Sequence, residues 1–152
     1  ASSEPMNRDR EEALDLAARA ADTLYWLASS GKTDVSSSTE VLAETLASRP
    51  DEVVQPALGV LQSLGGPAHV GRIVAVLTDS GRSEGVRTRA ANALAGIFAR
   101  SGKADAETVR MLEEVARQEA SFSVRGATAA ALGRLDLSKE SRIELMRSLL
   151  RR

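Results

Sequence analysis

The stretch Ser123-Val124-Arg125-Gly126-Ala127-Thr128-Ala129-Ala130-Ala131-Leu132-Gly133-Arg134-Leu135-Asp136 is the clearest copy of a block that occurs three times in the chain. Thirty-eight residues earlier, Gly85-Val86-Arg87-Thr88-Arg89-Ala90-Ala91-Asn92-Ala93-Leu94-Ala95-Gly96-Ile97 sets Val, Arg, Ala, Ala and Leu in the same order. A weaker copy lies thirty-three residues before that, in Pro50-Asp51-Glu52-Val53-Val54-Gln55-Pro56-Ala57-Leu58-Gly59-Val60-Leu61-Gln62-Ser63-Leu64-Gly65. Self-similarity at this period, with apolar residues three and four apart inside each copy, is the signature of stacked helical units that bury their faces against one another.

Working outward, polar stops and capping residues divide the chain into about eight helices and no strand. Residues 1–7 read as a disordered lead. Ala13, Ala17, Ala20, Leu24 and Leu27 then mark one long amphipathic helix over 8–30, which Ser29-Ser30-Gly31 ends. Ser37-Ser38-Thr39-Glu40 has the form of a capping box opening a short helix through Leu46. Pro50 fits a first helical position, and Pro56 either bends the helix that follows or marks a later start. Gly65-Gly66-Pro67 stops that helix and begins another to Thr78, with Val70, Ile73, Val74 and Leu77 inward. Ser83 caps a helix to about Arg100, closed by Gly102, whose inward set is Val86, Ala90, Ala93, Leu94 and Ile97. Asp105 caps the next, which buries Val109, Leu112, Val115 and Ala116. Ser121 or Ser123 opens the third block. Ser138 caps a last helix expected to bury Ile143, Met146, Leu149 and Leu150.

The pattern Asp-x-x-Val-Arg-x-x-Ala-Ala-x-Ala-Leu-Gly resembles the inner helix of HEAT-type repeats over residues 38–151. Val124, Arg125, Ala129, Ala131, Leu132 and Gly133 match it, as do Val86, Arg87, Ala90, Ala91, Ala93 and Leu94. The first copy departs from it, with Val54 in the Arg position and Pro56 in mid-helix. The resemblance implies an all-α fold, a right-handed α-α superhelix (solenoid) of HEAT-like helix pairs forming one domain over 8–151. In that phase the helices at 50–64, 84–100 and 122–135 form the inner, concave row. Those at 38–48, 67–78, 105–119 and 138–151 form the outer row.

Composition narrows the function. The chain has 152 residues, 27% charged and 43% hydrophobic, but only 3% aromatic. That is the profile of a soluble globular protein with an Ala- and Leu-rich interior. With no cysteine there is no disulfide, thiolate metal site or cysteine nucleophile. His69 is the only histidine, so metal binding would rest on carboxylates, and a Ser-His-Asp triad would have to use a residue with no nucleophile motif near it. A structural role is expected for it, and no cofactor. HEAT-like hydroxylases need several His-Glu pairs, which this sequence lacks. HEAT-like DNA glycosylases need a basic groove lined with aromatics, and this chain is net −1 with one Trp and one Tyr. Bilin lyases share the repeat, but no motif here supports that chemistry. Residues 1–76 carry 6 basic and 11 acidic groups, and residues 77–152 carry 14 and 10, so the chain has an acidic and a basic half.

These features lead to the expectation of a non-catalytic scaffold or interaction domain binding another protein or peptide helix, with self-association possible and nucleic acid disfavoured. Nucleic-acid binding or a lyase-type enzyme on the same fold is the alternative. No apolar run is long enough for a membrane span. A cytoplasmic location is expected, or export if Ala1 follows a removed leader. The candidate partner-contacting residues are Gln55, Gln62, Arg87, Thr88, Asn92, Arg125 and Arg134, on the solvent side of the inner helices. Two competing roles stand beside this one. Arg87 and Arg125 could form structural ion pairs with Asp79, Glu84 or Glu119, and the small residues Gly59, Ala95, Gly126, Ala130 and Gly133 could relieve crowding between repeats. Tyr25-Trp26 is expected to pack against the next repeat.

Overall fold

Helices begin where a side-chain oxygen can take up an amide left free in the first turn. Ser83 Oγ accepts from the Val86 N–H at 3.3 Å, Asp105 Oδ1 from Thr108 at 2.7 Å, and Ser121 Oγ from Val124 at 3.3 Å. Ser138 Oγ accepts from Ser141 at 3.1 Å. The expected caps are thus in place, and Ser121 rather than Ser123 opens the third block. The Thr108 amide also holds the Asp105 carboxyl below its ordinary range.

A computed structural model describes residues 8, 10–12, 15, 19, 36–47 and 50–150. All regular structure among them is helical: α1 (Ser36–Thr45), α2 (Asp51–Leu64), a 3-10 turn (Pro67–His69) running into α3 (Val70–Thr78), α4 (Glu84–Ser101), α5 (Ala106–Gln118), α6 (Phe122–Leu132) and α7 (Lys139–Leu150). Positions 8, 10–12, 15 and 19 are helical too. The rest of the expected first helix, the lead at 1–7 and Tyr25-Trp26 lie outside the described residues.

Packing runs in two rows. Helices α2, α4 and α6 touch in succession along one row, and α1, α3, α5 and α7 along the other; α1 meets α2, α3 meets α4, and α5 meets α6 across the gap. The core fills that gap with Leu58, Leu61, Ile73, Leu77, Val86, Leu94, Ile97, Phe98, Leu112 and Leu132, all buried. Val109, Val115 and Ala116, expected inward on α5, pack partly buried against it.

Close approach within the α2–α4–α6 row depends on missing side chains. A Cβ on Gly96 of α4 would stand 2.2 Å from the Gln62 carbonyl oxygen of α2, so only glycine lets these backbones meet. Gly102 ends α4 at φ +68°, in the left-handed region, and its carbonyl accepts from the Asp136 N–H at 2.7 Å, tying the ends of α4 and α6 together.

Three expectations change. Helix α1 begins at Ser36, so Ser37 lies inside it, and Glu40 turns away from the helix start toward α3. Helix α2 is continuous through Pro56, so it does not begin there; it starts at Asp51 with Pro50 as its N-cap, and Pro56 removes one backbone donor from its second turn. Helix α7 is turned over. It buries Leu145, half-buries Leu149, and leaves Ile143, Met146 and Leu150 exposed. At about 100° per residue the apolar residues of α7 form two arcs about a third of a turn apart, and contact with α5 selects the Leu145 arc.

Candidate interaction face

Charged residues at the helix seams serve chiefly as struts. Arg87 of α4 donates from Nε to the Leu77 carbonyl at 2.8 Å, near the C-terminus of α3, and pairs through both terminal nitrogens with Glu119. Glu119 in turn accepts from the Ser121 N–H at 3.2 Å. The Arg87 contact holds the Glu119 carboxyl below its ordinary value. With side chains only 12% and 17% exposed, this pair is enclosed, so Arg87 takes the structural role, with Glu119 as its partner. Arg125 occupies the equivalent place on α6 and is half-buried. Among the described residues no carboxylate stands within ion-pair distance of it.

Two further arginines do the same work, and nothing in their local sequence marks them. Arg82 donates to Asp51 Oδ1 at 3.0 Å and to the Leu46 carbonyl at 2.7 Å, joining the turn before α4 to the junction of α1 and α2. Asp51 also accepts from the Ser83 N–H at 3.1 Å, and Arg82 followed by that amide keeps its carboxyl below the ordinary range. Arg100 donates to the Gln62 and Gly65 carbonyls, both at 2.6 Å, covering the last turn of α2 where a cation is favoured. Burial lowers its guanidinium from the ordinary value.

His69 is buried and fully engaged. Its Nδ1 accepts from the Gly66 N–H at 3.0 Å, which places the ring proton on Nε2, 3.2 Å from Glu40 Oε2. Glu40 also takes Arg72 at 2.7 Å, and that contact leads in holding its carboxyl low. The arrangement stitches α1 to the start of α3. Among the described residues no group of three or more His, Asp and Glu could hold a metal ion, and no helix is long and apolar enough to cross a membrane.

An open depression of about 540 Å³ lies on the α2–α4–α6 row, lined by Gln62, Glu84, Gly85, Thr88, Arg89, Asn92 and Ser123. It brings together three of the expected residues, Gln62, Thr88 and Asn92. Gln55 stands beside Gly85, its Nε2 at 3.7 Å from where a Cβ would be, and Gly59 lies against Arg89. On α2, then, the small and neutral residues receive the neighbouring helix. Arg134 is exposed beyond the end of α6, outside the depression. Glu84, Arg89 and Ser123 line it although the helical pattern did not single them out. Thr88 Oγ1 is buried there with no hydrogen-bond partner among the described residues. Glu84 and Arg89 supply opposite charges, so the surface is mixed rather than uniformly basic.

Comparison with protein-family models, with curated proteins and with solved structures gave no match to this chain.

Proposed function

We propose that the chain is a HEAT-like α-solenoid whose function is non-catalytic: it holds another protein through the concave face formed by α2, α4 and α6. The succession of these helices in one row, each pairing with a helix of the other row, supports this reading. The observation that carries it is the depression shared by the row, where Gln62, Arg89 and Asn92 offer donors and acceptors on a rigid bed. Affinity would come from many modest contacts spread along a fixed curve.

The test is affinity capture with the wild type beside an Arg89→Glu, Asn92→Ala double variant. Both residues are exposed, so the fold should survive. Loss of the same proteins from the variant is the expected result. Recovery of identical proteins by both, with equal melting temperatures, would remove the concave face as the binding surface.

A further inference from the structure

We propose that the outward face of α7 is a docking site for an amphipathic helix of a partner protein, one whose apolar stripe is flanked by acidic residues.

The proposal begins with an apolar surface that no described helix covers. Ile143, Met146 and Leu150 are 42%, 59% and 81% exposed. Spaced three, four and seven apart, they form a continuous stripe, the pattern with which one helix receives another. Single exposed apolar residues are ordinary, whereas an aligned set on one helix marks a contact surface.

Continuity with an existing interface says what kind of object fits. Helix α5 presents Ala106, Val109, Arg110 and Glu113 to the cleft it shares with α7. Asp105 and Ser138 cap the two helices in the same way, so the equivalent positions on α7 are Lys139, Arg142, Ile143 and Met146. The positions that face a helix on α5 recur on α7, with Ile143 and Met146 in place of Arg110 and Glu113, and Lys139 and Arg142 in place of Ala106 and Val109. The other row is left open too. Gln55, Gly59 and Gln62 of α2 lie along α4, but their counterparts on α6, Gly126, Ala130 and Gly133, are exposed, and a Cβ on Gly126 would meet nothing within 4 Å.

Charge selects the partner. Lys139 continues the stripe by one turn and Arg142 and Arg147 stand on its two sides, while Glu140, beside Arg147, and Glu144 line the cleft toward α5. A helix seated on the stripe would therefore meet a cationic rim, which favours acidic residues at its margins and speeds encounter at low salt. This face is separate from the depression on α2–α4–α6, so either surface can fail without the other.

The probe is a fluorescein-labelled synthetic helix of about 18 residues with a Leu stripe flanked by Glu, read by fluorescence anisotropy. Binding is expected to be salt-sensitive and to weaken at least about tenfold for Ile143→Glu, Met146→Glu. The same loss is expected when the flanking Glu residues of the peptide are replaced by Lys. Arg89→Glu, Asn92→Ala should leave binding unchanged, and circular dichroism melts of both variants should overlay the wild type. Equal binding of both peptides, or of wild type and the α7 variant, would overturn the proposal. So would light scattering that shows a dimer abolished by Ile143→Glu, Met146→Glu, because the occupant would then be a second copy of the chain.

Discussion

Helices α4 and α7 both carry apolar residues at helical spacing, yet the large ones of α4 are all buried and most of those of α7 face water. Helix α4 packs against α2, α3 and α6 and buries Val86, Leu94, Ile97 and Phe98. Helix α7 leans on α5 and buries Leu145 alone. The difference comes from the number of neighbours. In a fold where each unit covers the next, a residue's burial depends on its place in the row more than on its own hydrophobicity.

The sharpest way to break this contrast is a pair of truncations. Leu94→Ala should cost about 2 to 5 kcal/mol in urea unfolding, because a fully buried side chain leaves a cavity that its neighbours on three sides cannot fill. Leu145→Ala should cost less than half as much, since α7 can shift to close the gap. Equal losses would mean that the last helix is as tightly integrated as the middle one.

A glycine pair comes next in size. Gly96→Ala forces a methyl group into the Gln62 backbone and should destabilise by about 1 to 3 kcal/mol. Gly126→Ala, at an exposed helical position with open space around it, should stabilise by about 0.5 to 1 kcal/mol through the loss of unfolded-state freedom. Thermal melts of the two would show opposite signs. A shared sign would refute the assignment of one glycine to close packing and the other to an open face.

The last effect depends on pH. Replacing Arg87 with Met leaves Glu119 enclosed without its partner and should cost about 1 to 3 kcal/mol at pH 7. The Glu119 carboxyl lies below its ordinary value of 4.5 in the folded state. Its contribution is therefore present above that value and lost as pH falls through the folded one. The gap between wild type and Arg87→Met in urea unfolding should narrow below about pH 4. A constant gap from pH 7 to pH 3 would show that the pair acts through packing rather than charge.

Much of the architecture was legible in the residues. Ser83, Asp105, Ser121 and Ser138 announced helix starts through their side-chain oxygens, and Gly102 announced a stop. The inward sets on α3 and α4 followed from periodicity because both helices are surrounded, so one broad stripe meets neighbours. Helix α7 defeated the same reasoning: Leu145 and Ile143 lie on separate arcs, and only the position of α5 chooses between them. The depression was half legible. Thr88, Arg89 and Asn92 share a helical face at spacings of three and four, whereas Ser123 enters through the tertiary meeting of α4 and α6. Arg82 and Arg100 left no trace in the pattern, because Asp51 and the carbonyls of Leu46, Gln62 and Gly65 that they hold lie 31 to 38 residues away in the chain.

Arg100 also sets how the molecule should come apart. Among the described residues its guanidinium faces only carbonyl oxygens at the end of α2, groups that take up no proton in ordinary acid, whereas Arg87 and Arg82 divide their bonds between the Leu77 and Leu46 carbonyls and the carboxylates of Glu119 and Asp51, which do. Acid should therefore unpick the stitches around α3, α5 and the α1–α2 junction first. The clasp between α2 and α4 would be left as the last hinge to open, and the protein would unravel from its margins toward its middle.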